Sequence, residues 1–289
     1  MLTAGQKMTE SKRSFISCII MCGELLSSLL FPPRCILCDE ILSPEEAEKR
    51  IHKTCESKLY PIIGPVCMHC GRPIRNDYDA VSKKAAYLDI YNSYEYCYDC
   101  KLIANSVEKS QMKNRKNKFT SYIEQGKSLY LYRGDIKKTM YRFKYSNKRE
   151  YAKFFAQRVV RKHGDWIREK QIQAIVPVPM YLPKERKRGY NQAKSFAREL
   201  SMLTGLPVED SLVFRVRDTK ALKTLNPMER KNNLKNAFQN KKSIVQYTHI
   251  LVVDDIYTTG STAQAVAEEL IKQGVGHVYF LSICIGETM

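Results

Sequence analysis

The spacing of eight metal-type side chains constrains this chain more than any other feature. Cys35 and Cys38 in CILC, Cys67 and Cys70 in CMHC, and Cys97 and Cys100 in CYDC are each separated by two residues. His52 and Cys55 in HKTC repeat that spacing. Two intervening residues let both ligands of a knuckle turn reach one ion, and thiolate with imidazole is the donor set that tetrahedral zinc takes. Four pairs divide into two zinc sites. Sequential assignment puts Cys35, Cys38, His52 and Cys55 in one and Cys67, Cys70, Cys97 and Cys100 in the other; a cross-braced pairing has the same spacing and stays open. His69, inside the second knuckle, is a secondary ligand candidate. Four protein ligands leave no position for water, so such sites are structural. A disulfide scaffold is the competing reading, disfavoured because no secretory signal is legible. Cys18, Cys22 and Cys284 fall on apolar stretches and read as small buried hydrophobes.

The chain carries 48 Lys+Arg against 30 Asp+Glu, a formal net charge of +18. That balance favours a polyanionic partner, either nucleic acid or a phosphate-rich ligand. No run of about 18 apolar residues appears, so no membrane span is expected. The stretch SKRSFISCIIMCGELLSSLLF outlines a signal peptide, but Glu24 interrupts it and no small-residue cleavage site follows. Phe15, Ile19, Cys22, Leu26 and Leu29 recur instead at helical spacing, giving an amphipathic helix that ends before Pro32-Pro33.

Four segments follow from these patterns: an N-terminal amphipathic helix (1–33), a zinc-binding module (34–100), a basic linker (101–120) containing KSQMKNRKNKF, and an α/β domain (121–289). In the last segment SLYLY alternates like a strand, and DIKKTMYRFKY sets Ile136, Met140 and Phe143 on one helical face. Tyr151 to Arg161 repeats that theme. QAIVPVPM is a short β-run stopped by prolines. NQAKSFARELSMLTG opens on a capping Asn191 and stops at Gly205. HILVVDD and HVYFLSICIG read as strands around the helix STAQAVAEELIKQG. Strands alternating with helices predict a parallel sheet flanked by helices on both faces.

HILVVDDIYTTGST therefore reads as strand, loop and helix. Ligands of such sheets bind at the carboxyl ends of the strands. Asp254 and Asp255 lie at that end. Thr258, Thr259, Ser261 and Thr262 add hydroxyls, Gly260 permits close backbone approach, and the helix start near Ser261 offers free N–H groups to an anion. Two acids suit a polyol or a divalent cation, and the loop suits a phosphate. A ribose phosphate meets both demands.

The thirteen residues ILVVDDIYTTGST resemble the PRPP-binding motif of type I phosphoribosyltransferases. LPKERKRGYNQAKSFARELSMLTGLPV, RVRDTKALKTLNPMERKNNLKNAF and LLFPPRCILC resemble the ComF family, from about Leu29 to Ile285. The resemblance implies a type I phosphoribosyltransferase-like domain behind an N-terminal double zinc finger, in a cytoplasmic protein of natural transformation. It implies uptake and processing of single-stranded DNA beside a competence-associated DNA helicase. It also implies PRPP bound by Asp254, Asp255, Thr258, Thr259, Gly260, Ser261 and Thr262, with Mg²⁺ at the acids. Lys184 and Arg188 belong to the expected pyrophosphate side; Arg215, Arg217, Arg230 and Lys144 extend the basic set. Two departures stand out: Leu222 occupies a position where the family commonly has glutamine, and HKTC replaces a CxxC. No catalytic residue or acceptor pocket is legible, so two alternatives stand beside the competence reading. One is a salvage-type phosphoribosyltransferase acting on a small nitrogenous acceptor; the other is a zinc-dependent adaptor for a DNA helicase.

Overall fold

The computed structural model describes residues 31–74, 96–101, 121–218, 237–240 and 246–287. The expected N-terminal helix, apart from its last residues, and nearly all of the basic linker lie outside them. The chain divides into two compact units, Met1–Ser57 and Lys58–Met289.

The described part of the first unit is built around one cysteine knuckle. The Cys35 amide donates to the Glu40 carbonyl at 2.8 Å and Asp39 donates back to Cys35 at 2.9 Å. Two single-turn helices follow, α1 (Pro44–Ala47) and α2 (Lys53–Glu56). Among these described residues Cys35, Ile36, Leu37, Leu42, Ile51 and Cys55 are the buried apolar groups.

The second unit contains a parallel four-stranded sheet. Its strands are β1 (Gln125–Leu131), β2 (Ala174–Pro177), β5 (His249–Tyr257) and β6 (His277–Ile285), in the order β1-β6-β5-β2. Short strands β3 (Val213–Arg215) and β4 (Phe238–Asn240) pair antiparallel beside it. The helices are α3 (Ile136–Tyr145), α4 (Tyr151–Glu169), α5 (Leu182–Arg188), α6 (Gln192–Thr204) and α7 (Ser261–Ile271). β5 and β6 are buried along nearly their whole length, as a parallel sheet covered on both faces requires. Period-2 alternation divides β5: Ile250 and Val252 join a core with Ala263, Val266 and Leu270 of α7, so Leu251 and Val253 face the opposite side. The sheet has the phosphoribosyltransferase-like parallel topology expected from the sequence.

Local signals explain the helix ends. The Asn191 side chain accepts from the amides of Ala193 and Lys194, and Gly205 closes α6 in the left-handed conformation. α5 has no apolar periodicity in LPKERKR to announce a helix. Pro183 in its first turn and Gly189, at φ 87°, as its stop permit one. β3 and β4 also escaped the sequence reading, because three-residue strands carry too little alternation to register.

The second knuckle repeats the first. Cys67 donates to the Arg72 carbonyl at 2.7 Å, and Gly71 donates to Cys67 at 2.9 Å. It packs directly on β1, whose Gly126 amide donates to the His69 carbonyl at 2.6 Å. Gly71 has φ 73°, and a Cβ there would lie 2.5 Å from the Gly126 carbonyl oxygen. Both the dihedral and the backbone contact exclude a side chain. Gly71→Ala is expected to destabilise the second unit by about 1–3 kcal/mol, the usual cost of a strained backbone residue, measurable by urea unfolding.

Candidate functional site

Two clusters assemble in the sequential pairing: Cys35, Cys38, His52 and Cys55 in one, Cys67, Cys70, Cys97 and Cys100 in the other. Within each, the ligand atoms lie within 4.8 Å of one another. Thiolates about 2.3 Å from a tetrahedral zinc stand roughly 3.8 Å apart, and Cys70 Sγ lies 3.6 Å from Cys97 Sγ. In the first cluster Nδ1 of His52 faces the metal position, 3.3 Å from Cys38 Sγ and 3.9 Å from Cys55 Sγ. Its Nε2 lies 3.2 Å from the Ile41 carbonyl, which orients the ring as metal-bound histidines require. Each cluster pairs a knuckle with a helical turn, His52–Cys55 in the first and Cys97–Cys100 in the second. Both fit zinc by donor set and spacing. His69 falls outside the ligand set; its Nδ1 lies 3.4 Å from Cys100 Sγ and its Nε2 2.6 Å from Ser121 Oγ.

At the carboxyl end of β5, Asp254 and residues Tyr257 to Ala263 line one small hollow. The Asp255 amide donates to Asp254 Oδ1 at 2.8 Å. No side chain caps α7, so the first amides of this eleven-residue helix open into the loop. Thr259 Oγ1 and Ser261 Oγ lie 3.0 Å apart across the turn. Gly260 is required here: φ is 75°, and a Cβ would meet the Tyr257 hydroxyl at 2.2 Å.

The acidic pair is met by a lysine. Lys144 Nζ, from the last turn of α3, lies 2.8 Å from Asp255 Oδ2, and both side chains are largely enclosed. Burial works against the Lys144 charge, but Asp255 and then Asp254 outweigh it and hold its pKa above the ordinary range. Burial, then the neighbouring Asp255 charge, pushes Asp254 up to about 8, against the opposing pull of Lys144. The remaining basic candidates are placed differently. Lys184 pairs with Asp218 at 2.5 Å, and Arg188 donates to Gln192 Oε1 at 2.7 Å while lying over the Tyr145 ring. Neither is among the residues lining the hollow. Arg215 lies over the Phe238 ring, and Leu222 and Arg230 fall outside the described residues.

Sequence reasoning named Lys144 without a partner and missed Arg72 entirely. Arg72 is 5% exposed. It pairs with Asp99 and donates from Nη2 to the Thr258 carbonyl at 2.7 Å. No local pattern signals a contact across 186 residues of chain. Removing one partner of an enclosed ion pair leaves a charge uncompensated. Lys144→Met is therefore expected to cost about 3 kcal/mol. Lys144→Met/Asp255→Asn should recover most of that loss, read as the coupling energy of a double-mutant cycle in chemical unfolding.

Comparison with known proteins extends these observations. The double zinc ribbon domain family matches residues 26–101. Competence protein F of Haemophilus influenzae is 38% identical over 108 residues, 37% of this chain and 47% of that protein. DNA utilization protein YhgH of Escherichia coli K12 is 36% identical over 110 residues, 38% of this chain and 48% of that protein. The matched regions thus span about half the length of these two relatives. Competence protein ComFC of Bacillus subtilis is 24% identical over 249 residues, 83% of this chain and 89% of that protein. A phosphoribosyltransferase-like sheet behind two cysteine clusters, with these relatives, makes the chain a homologue of the ComF-family competence proteins that carries a double zinc ribbon on its N-terminal side.

Proposed function

We propose that the chain binds a 5-phosphoribosyl ligand, PRPP or a close analogue, in the hollow at the end of β5, and acts on single-stranded DNA during transformation. The observation that carries the first part is the hollow itself. Asp254 at the end of the strand, with Asp255 next to it in sequence, and an uncapped helix start with its hydroxyl loop line a single cavity through Asp254 and Thr258 to Thr262. Ribose hydroxyls donate to Asp254 and Asp255, and a 5′-phosphate accepts from Thr258 to Thr262 and from the α7 amides. Asp254 and Asp255 are the residues that would hold Mg²⁺, which would neutralise diphosphate charge. In any transfer the bond to pyrophosphate at C1′ breaks as a nucleophile attacks, and Lys144 stands where it can balance the acids throughout.

A second observation favours the DNA part. The sequence interleaves aromatics and cations from Tyr130 to Tyr151, and the structure sorts them. Tyr130, Phe143 and Tyr151 are core, whereas Tyr141 and Tyr145 are about 60% exposed with ring centroids 4.8 Å apart. Arg188 lies over Tyr145, and Lys137, Lys138 and Arg149 line the same stretch of chain. Neighbouring exposed rings among cations are what a single strand needs, faces for bases and charges for phosphates. The names of the relatives, competence and DNA utilization proteins, fit that partner. The zinc ribbons would then serve to dock a helicase in the same apparatus.

Calorimetry with PRPP and Mg²⁺ tests the first part: Asp254→Asn/Asp255→Asn should abolish binding, and equal affinity in both proteins sinks it. The ligand needs Asp254 ionised, and burial holds its proton until about pH 8. Wild-type affinity should therefore rise by up to about tenfold per unit as pH approaches 8 and level off above it, whereas Asp254→Asn should lose that rise. For the second part, Tyr141→Ala/Tyr145→Ala should weaken an oligodeoxythymidylate by about tenfold or more while PRPP affinity stays unchanged. Binding of the oligonucleotide that is indifferent to salt would count against the surface.

A further inference from the structure

The second cysteine cluster is not a separate bead on the chain. Cys67, Cys70 and Cys97 belong to the same apolar core as Val252, Tyr257, Ala263 and Phe280, that is, to the strand, loop and helix that form the hollow. Two polar connections run from its knuckle to the loop. On one side Arg72 pairs with Asp99 and donates to the Thr258 carbonyl. On the other, His69 contacts Ser121 Oγ, which accepts from Gln264 Nε2 at 2.8 Å. The Gln264 amide in turn donates to the Gly260 carbonyl at 2.8 Å, the first intrahelical bond of α7.

The Arg72 contact has a specific geometric effect. In a trans peptide the carbonyl of one residue and the amide N–H of the next point in opposite directions. Arg72 is buried and draws the Thr258 carbonyl inward. The Thr259 N–H must then point outward, into the hollow that Thr258 and Thr259 line. Were that peptide to flip, a carbonyl oxygen would face the bound phosphate and repel it. A cluster of four thiolates with one zinc ion is net negative, and Arg72 also separates that charge from the anion site.

We propose that Arg72 is a positioning residue that fixes the Thr258–Thr259 peptide with the Thr259 amide toward the phosphate subsite, so that an intact second cysteine cluster is a condition of ligand binding. The proposal rests on the phosphoribosyl reading for its ligand but not for its geometry. Arg72→Met, Arg72→Lys and Asp99→Asn in the full, zinc-loaded chain provide the test. Zinc content by atomic emission should stay at the wild-type value in all three. Hydrogen–deuterium exchange of the peptide covering 257–263 should accelerate by about tenfold or more in Arg72→Met, with β6 unchanged. PRPP affinity should fall by at least the same factor. Arg72→Lys, which keeps the charge but not the fork, should restore either property only in part. Asp99→Asn, at a half-exposed position that tolerates substitution, should show the same change to a smaller degree even if Arg72→Met fails to fold. Unaltered exchange at 257–263 in a folded Arg72→Met, or in Asp99→Asn where that variant does not fold, overturns the proposal. Absence of PRPP binding by wild type sinks the phosphoribosyl reading instead, and the exchange result then decides the role of Arg72 alone.

Discussion

Two carboxylates at the end of a central buried strand create the electrostatic demand around which the second unit is arranged. β5 lies between β6 and β2 and has no open edge on which to release charge into water. Its acids need a cation delivered from elsewhere, and α3 delivers it. Ile136, Met140 and Phe143 seat that helix in the core, and Lys144, next in sequence to Phe143, reaches Asp255. The helix end is fixed in turn: Tyr190 donates its hydroxyl to the Phe143 carbonyl, and Gln192 donates to the Lys144 carbonyl at 3.3 Å. Those carbonyls belong to a last turn that lacks intrahelical partners. Apolar burial therefore sets the lysine, and the lysine keeps the acid pair tolerable. With Asp255 paired, Asp254 is the carboxyl left facing the hollow.

The parts legible in the sequence were those whose signal is local. Two-residue ligand spacing, the Asn191 cap, the Gly205 stop and the thirteen-residue strand-loop-helix motif each depend on residues a few positions apart. Sequential metal pairing was one of two open choices, and the structure selects it. Lys144 was visible as one lysine on a basic helix, but spacing does not tell a solvated lysine from one aimed at a carboxylate 111 positions away. Arg72 carried no signal because its importance lies in a backbone carbonyl, an acceptor that every residue possesses. The exposed pair Tyr141 and Tyr145 shares its helical spacing with core aromatics, so only packing separates them from Phe143 and Tyr151.

The two cysteine clusters have the same knuckle geometry but opposite surroundings. The first combines three thiols with an imidazole, and among the described residues of its unit the buried apolar groups cluster around the knuckle, as expected where metal substitutes for hydrophobic burial. The second combines four thiols and shares its core with the sheet. Its Gly71 approaches β1 so closely that backbone meets backbone. A cluster placed this way packs against the loop that follows β5 and is tied to it through Arg72. The contrast is between a cluster set among few described apolar side chains and one built into the core of the sheet.

A net charge of +18 attracts polyanions over distances set by the Debye length, but several of the described cations are already engaged by acids. Lys144 pairs with Asp255, Lys184 with Asp218, and Arg72 with Asp99. Beside Asp254, the hollow presents hydroxyls and helix amides, neutral donors whose direction is fixed by the fold. Steering by exposed lysines tolerates mobility, because it needs only the sign of the field. Recognition of one phosphate does not, because each donor must meet one oxygen. The fold orients the donors of this hollow through contacts made behind it, among them the bond from buried Arg72 to the Thr258 carbonyl.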